Sequence, residues 1–127
     1  MNGVTYDTGA LIAADRNDRR MWALHAGFLA LEVSPTVPTP VLAEAWRGGP
    51  RQAGLARFLA LCTIEPFTEH QAKAVGTLAA RAGHDDIVDV TVVEGAIRRH
   101  DAVLTSNPTH IRKIADAARA RLTIQSV

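Results

Sequence analysis

Apolar residues along this chain fall into short β-prone runs separated by longer stripes with helical spacing. Val4-Thr5-Tyr6 suits a short buried strand. Asp7 follows directly, and residues 8–14 then read as a helix that begins at the strand's end. Between positions 19 and 31 the apolar residues Trp22, Leu24, Phe28, Leu29 and Leu31 lie close to one helical stripe. Residues 33–37 form a β-prone run, interrupted by Pro35 and ending before Pro38. Thr39-Pro40 reads as an N-cap followed by proline at the first helical position, and the helix over 41–46 should stop near Gly48-Gly49-Pro50. A further apolar helix is predicted over 52–61 and a short strand over 63–67. Thr68, with Gln71 three residues on, has the pattern of a capping box for a helix ending near Gly83. Asp85 or Asp86 caps the next helix, which extends to about His100. Residues 102–105 are an apolar strand, Ser106-Asn107-Pro108 opens a helix with apolar Ile111 and Ile114, and 121–124 is the last strand.

Short strands alternating with helices predict an α/β sandwich built on a mainly parallel sheet. In such folds chemistry sits beyond the carboxyl ends of the strands, so the polar residues of interest should follow strands or open helices. The 127 residues suit one domain over 1–127, with no internal repeat, linker or low-complexity tract.

Composition narrows the function classes. Hydrophobic residues make up 47% and charged residues 21%, which excludes a disordered chain. Fourteen Lys and Arg against thirteen Asp and Glu leave a net charge of +1, so any basic surface must come from local clustering. The single cysteine, Cys62, follows an apolar run and reads as a core residue. The opening Met-Asn-Gly-Val-Thr-Tyr-Asp has no basic or apolar leader pattern, and no run approaches a membrane span. A cytoplasmic protein without membrane association is expected.

Acidic and amide residues stand where the strand rule wants them. Asp7 follows the first strand, where a helix cap would also account for it. Glu44 is one of few charges in an otherwise apolar helical run. Asp86 and Asp89 share one face near a helix N-terminus, which the helix dipole favours. With Asp85 they put three carboxylates in five residues, which repel unless a cation or water relieves them. Asn107 follows a late apolar strand, again in good capping context. An oxygen-only set suits a hard cation such as Mg²⁺ or Mn²⁺. Zinc is not expected, because the five histidines are scattered without paired ligand spacing or cysteine partners. His84, near the acids, reads as a solvated loop residue.

These segments, taken in order, resemble the PIN-domain family, specifically bacterial VapC-like toxins of VapBC-type pairs. The resemblance runs through Val4-Thr5-Tyr6-Asp7-Thr8-Gly9-Ala10-Leu11-Ile12, then Thr39-Pro40-Val41-Leu42-Ala43-Glu44-Ala45-Trp46-Arg47-Gly48-Gly49. It continues through Asp86-Ile87-Val88-Asp89-Val90 and Val103-Leu104-Thr105-Ser106-Asn107-Pro108, and covers nearly the whole chain. It implies a three-layer α/β/α sandwich with a short, mainly parallel, PIN-like sheet. It also implies a Mg²⁺- or Mn²⁺-dependent endoribonuclease that hydrolyses phosphodiester bonds through a metal-activated water, leaving 5′-phosphate and 3′-hydroxyl ends. Asp7, Glu44, Asp89 and Asn107 then stand at the catalytic positions. Asp7 and Asp89 are direct metal ligands and Glu44 acts through water or positions the nucleophile, with Asp86 a second-tier ligand. The family's fourth position is usually aspartate; Asn107 brings a carbonyl oxygen but no charge, which puts a second metal in doubt.

Thr105 and Ser106 are expected to orient water or phosphate. Arg47 and Arg112 are the preferred RNA contacts among the basic clusters, because each follows a site residue in sequence. Partners implied are a single-stranded or loop RNA, a cognate VapB-like antitoxin and a second copy in a homodimer. Trp22, Phe28 and Leu31 offer a surface for pairing, with core packing the competing account of each. The alternative function is a degenerate PIN-like module that binds RNA or protein without cutting, which Asn107 favours. A receiver-like domain wants a lysine after a late strand, and neither Lys73 nor Lys113 follows one. A DNA flap nuclease wants a helical arch that the chain lacks.

Overall fold

A computed structural model describes residues 3–127. In chain order the elements are β1 (Gly3–Tyr6), α1 (Thr8–Asp15), α2 (Arg19–Ala30), β2 (Thr36–Pro38), α3 (Thr39–Ala45) and α4 (Ala53–Leu59). They continue with β3 (Thr63–Glu65), α5 (Glu69–Ala82), α6 (Ile87–Arg99), β4 (Asp101–Thr105), α7 (Pro108–Ala117) and β5 (Ile124–Ser126). The strands form one sheet in the order β3-β2-β1-β4-β5, and all four pairings are parallel. The expected α/β/α sandwich is therefore present, with a sheet that is wholly parallel among the described residues.

Neighbouring side chains of a strand point to opposite faces, and β1 shows what covers each. Tyr6 is fully buried against His25 of α2 and Phe58 of α4. The His25 ring stacks on Phe58 with centroids 3.9 Å apart, and the Tyr6 hydroxyl meets His25 Nδ1 at 2.9 Å. Burying a side chain such as Phe58 stabilises by about 1.5–3 kcal/mol. Thr5 points to the other face, where α6 packs with α5 and α7. There its hydroxyl donates to Asp101 and accepts from Arg99, each at 2.9 Å. Arg99 also donates to Asp101 at 3.0 Å and to Glu65 at 2.6 Å, tying β3, β4 and α6 together. Gly95 makes room for this: a Cβ there would lie 2.8 Å from the Arg99 guanidinium.

Boundaries differ from the sequence reading in several places. β2 begins at Thr36 rather than at Val33. Pro38 belongs to β2 and is itself the N-cap of α3, because its extended backbone (φ −63°, ψ 142°) does both; Thr39 is the first helical residue rather than the cap. The helix expected over 52–61 is a 3₁₀ turn, Pro50–Gln52, followed by the shorter α4. β3 ends at Glu65, before Pro66-Phe67. β5 begins at Ile124 rather than ending there, since its pairing with Val103, Leu104 and Thr105 sets the register. Trp22 and Phe28 pack on the core, while Leu31 stays 75% exposed. Cys62 is half-buried and burial pushes its thiol up to about 12. Among the described residues no helix is long and apolar enough to cross a membrane.

Candidate functional site

The carboxyl ends of β1 and β4 lie side by side, because Tyr6 pairs with Leu104, and the residues that follow meet above them. Asp7 is buried at 5% exposure and its backbone N–H donates to Leu104 O. Its Oδ1 caps α1 by accepting from Ala10 N at 3.0 Å, so the cap and the site are one residue. Burial pushes the Asp7 carboxyl up, and the nearby charge of Asp89 adds to this. Hydrogen bonds from the Thr105 side chain and the Ala10 and Ser106 backbones pull the other way without prevailing.

The β4–α7 turn is drawn onto α1 by a glycine. A Cβ at Gly9 would overlap the Ser106 side chain and lie 3.1 Å from the Ser106 backbone nitrogen. Thr105 Oγ1 accepts from Asn107 N at 2.8 Å and so shapes the same turn. Asn107 caps α7 by position only; its side chain makes no cap bond, and Nδ2 instead donates to His110 Nδ1 at 2.7 Å. Glu44, exposed on α3, accepts from the Thr8 hydroxyl at 2.6 Å and is thereby held beside the residue that follows Asp7.

Asp89 lies in the first turn of α6. Two imidazole nitrogens approach its Oδ2: His84 Nε2 at 3.1 Å and His110 Nδ1 at 3.6 Å. His84 is not a solvated loop residue, for its side chain is only 10% exposed. The left-handed Gly83 (φ 60°) ends α5 and turns the chain back, so that His84 N donates to Ala79 O at 3.1 Å. Lys113 of α7 donates to Gly83 O and fixes the same turn. Linear spacing hid this cluster, because its members come from three elements that meet only in the fold.

The remaining predicted residues are less central. Asp86 uses Oδ1 to cap α6, accepting from Val88 N and Asp89 N. Arg47 bonds the Ala43 and Trp46 carbonyls and lines a groove with Asp15, Arg16, Gly48, Arg51 and Gln52. Gln52 builds that groove: its Oε1 accepts from Arg47 N and Gly48 N while its Nε2 donates to Ala45 O and Asp15. Nothing in the sequence marks Gln52, whose burial shows only in the fold. Arg112 is exposed, and helix positions two apart do not share a face, so His110 facing Asp89 turns Arg112 away.

A divalent cation fits this donor set. The Asp7 carboxyl is desolvated and lies close enough to Asp89 for that charge to push it up further, and a cation relieves the repulsion. Glu44 adds a third carboxylate near Thr8, and oxygen donors of this kind suit Mg²⁺ or Mn²⁺.

No protein-family model and no curated protein matches the sequence. Solved structures do match. One is a chain of the VapBC2 complex of Rickettsia felis, crystallised with a DNA fragment from their promoter. The two share 18% identity and superpose with a TM-score of 0.73 over 98% of each chain. At that identity the likeness is one of fold, and this chain has the PIN-like α/β/α fold shared with that VapBC2 component.

Proposed function

We propose that this chain is a metal-dependent endoribonuclease and the toxin member of a toxin–antitoxin pair, working as a single domain over 1–127 in the cytoplasm. The observation that carries the reading is the approach of Asp89 to Asp7, which follows the central strand β1, with Glu44 held against Thr8, the next residue along. Asp7, Asp89 and Glu44 would hold Mg²⁺ or Mn²⁺, with Asp86 outside them at the start of α6. When bound, the ion offsets charge on the scissile phosphate and acidifies the attacking water.

The chain's own residues do the rest. Glu44 accepts a proton from, and orients, the water that attacks. The Ser106 hydroxyl and the Asn107 amide hydrogen-bond the phosphate from the β4–α7 turn, while Thr105 holds that turn in shape. RNA reaches the acids along α1, whose eight residues span about 12 Å between Thr8 and the Arg16–Arg47–Arg51 groove. Arg112, on the other side of α7, serves as a peripheral phosphate contact. A VapB-like antitoxin is the partner we assign by analogy with the VapBC2 complex, and a second copy in a homodimer is the other partner we propose.

The reading is tested by incubating pure, partner-free protein with a mixed structured RNA pool, in Mg²⁺ or Mn²⁺ and in EDTA, beside Asp89→Ala. We expect cleavage with either metal, none in EDTA, and at least a 100-fold loss in the variant, on the scale of removing a metal-bound transition-state contact (about 3 kcal/mol). Metal-independent cleavage, or an unaffected variant, would sink it. A second reading, a PIN-like module that binds RNA or protein without cutting, is favoured by the uncharged Asn107, whose amide is bonded to His110. Folded protein that neither cuts RNA nor binds Mg²⁺ or Mn²⁺ would select that module.

A further inference from the structure

We infer that His84, Asp89 and His110 form a binding site for a transition-metal ion of the zinc class. Their ligand atoms lie within 4.8 Å of one another. A tetrahedral ion with bonds of about 2.0–2.2 Å holds its ligand atoms about 3.3–3.6 Å apart. The two contacts to Asp89 Oδ2, 3.1 and 3.6 Å, bracket that spacing before any ion has drawn the side chains in. His84 is pinned by its turn, whereas the His110 side chain is 51% exposed and has room to swing the remaining distance.

The Asn107 amide meets His110 Nδ1 at 2.7 Å, and that nitrogen stands 3.6 Å from Asp89 Oδ2. An imidazole nitrogen has one in-plane lone pair, so on taking up an ion His110 exchanges the amide contact for the metal. Two imidazoles and one carboxylate are a borderline-soft set, which suits Zn²⁺, Co²⁺ or Ni²⁺ rather than Mg²⁺. Three protein ligands leave a fourth position open beside Asn107.

The inference goes beyond the nuclease reading and does not need it. It adds that zinc and Mg²⁺ compete for Asp89. The test uses the tag-free chain, dialysed against chelator and titrated with Zn²⁺ by calorimetry and with Co²⁺ by visible absorption. We expect one ion per chain and the intense bands of tetrahedral Co²⁺. His84→Gln and His110→Gln should each weaken zinc binding at least 10-fold, the lower end of losses for residues around a metal. His70→Gln, on exposed α5, should leave it unchanged. No ion uptake by folded protein, or equal affinity in both site variants, would overturn the proposal. Should either variant fail to fold by circular dichroism, imidazole NMR of the parent decides. Zn²⁺ must then shift His84 and His110 and leave the other three of the five histidines in place; any other pair refutes the site. Zinc binding without RNA cleavage would leave this site standing while the nuclease reading falls, and cleavage without zinc binding would do the reverse.

Discussion

Asp7 shows how one side chain serves two ends. Its Oδ1 caps α1, and its burial makes the charged form expensive. Asp7→Asn keeps an oxygen for Ala10 N while removing the buried charge. Because the folded-state pKa is raised, the parent loses stability as pH rises above the ordinary carboxylate value of about 3.9. The variant should therefore melt a few degrees higher at pH 7 while losing metal binding and RNA cleavage; a lower melting point would mean the charge contributes to the fold. His25 works in the opposite sense. Burial holds it below its ordinary value, so the unfolded chain takes up a proton that the folded one refuses. Stability is then lost as pH falls below about 6.5. Melting curves between pH 7.5 and 5 should show a flatter slope for His25→Gln, and an unchanged slope would remove His25 from the account. The positions of Asp7, Glu44, Asp89 and Asn107 in the fold were legible in the sequence, because each follows a strand or sits on a patterned helix. His84 and His110 were not, since nothing in their spacing announces that the end of α5 and the start of α7 meet at Asp89.

Between elements, the closest approach is that of α1 to the β4–α7 turn at Gly9. A methyl there has no space, because it meets the Ser106 side chain and also the Ser106 backbone, which cannot rotate away. Gly9→Ala raises helix propensity by about 1 kcal/mol, but overpacking costs about 1–3 kcal/mol. The net expectation is a small loss of stability. The loss of RNA cleavage should be larger, at about 10-fold or more, because the displaced turn carries Thr105, Ser106 and Asn107. Cleavage at the parent rate would show that this turn does not position substrate. Helices read well from sequence where caps punctuate them, as Thr68 does for α5 through Gln71 N and Gly83 does at its end. The capping box there is half formed, for Gln71 turns its side chain to Glu94 rather than back to Thr68. Strand ends read poorly. β3 and β5 are three residues each, and their limits follow from the partner strand rather than from their own composition.

At the scale of the molecule, a wholly parallel sheet must bury both faces, and β1 and β4 are buried accordingly. The alternation of strands and helices along the chain carried that architecture. It did not carry the polar network of Thr5, Glu65, Arg99 and Asp101, which joins residues up to 96 positions apart. The strand order has a consequence in time. Of the five described strands the first made is the central one, and its neighbour β4 is made about a hundred residues later. A ribosome adding about 5–20 residues per second takes about 5–20 s to cover that interval. Throughout it the nascent chain carries Asp7 without the β4–α7 turn, and without β4 and β5, the two strands on one side of β1. On the proposed nuclease reading, this ordering withholds the cutting edge until β4 and the turn after it have been made.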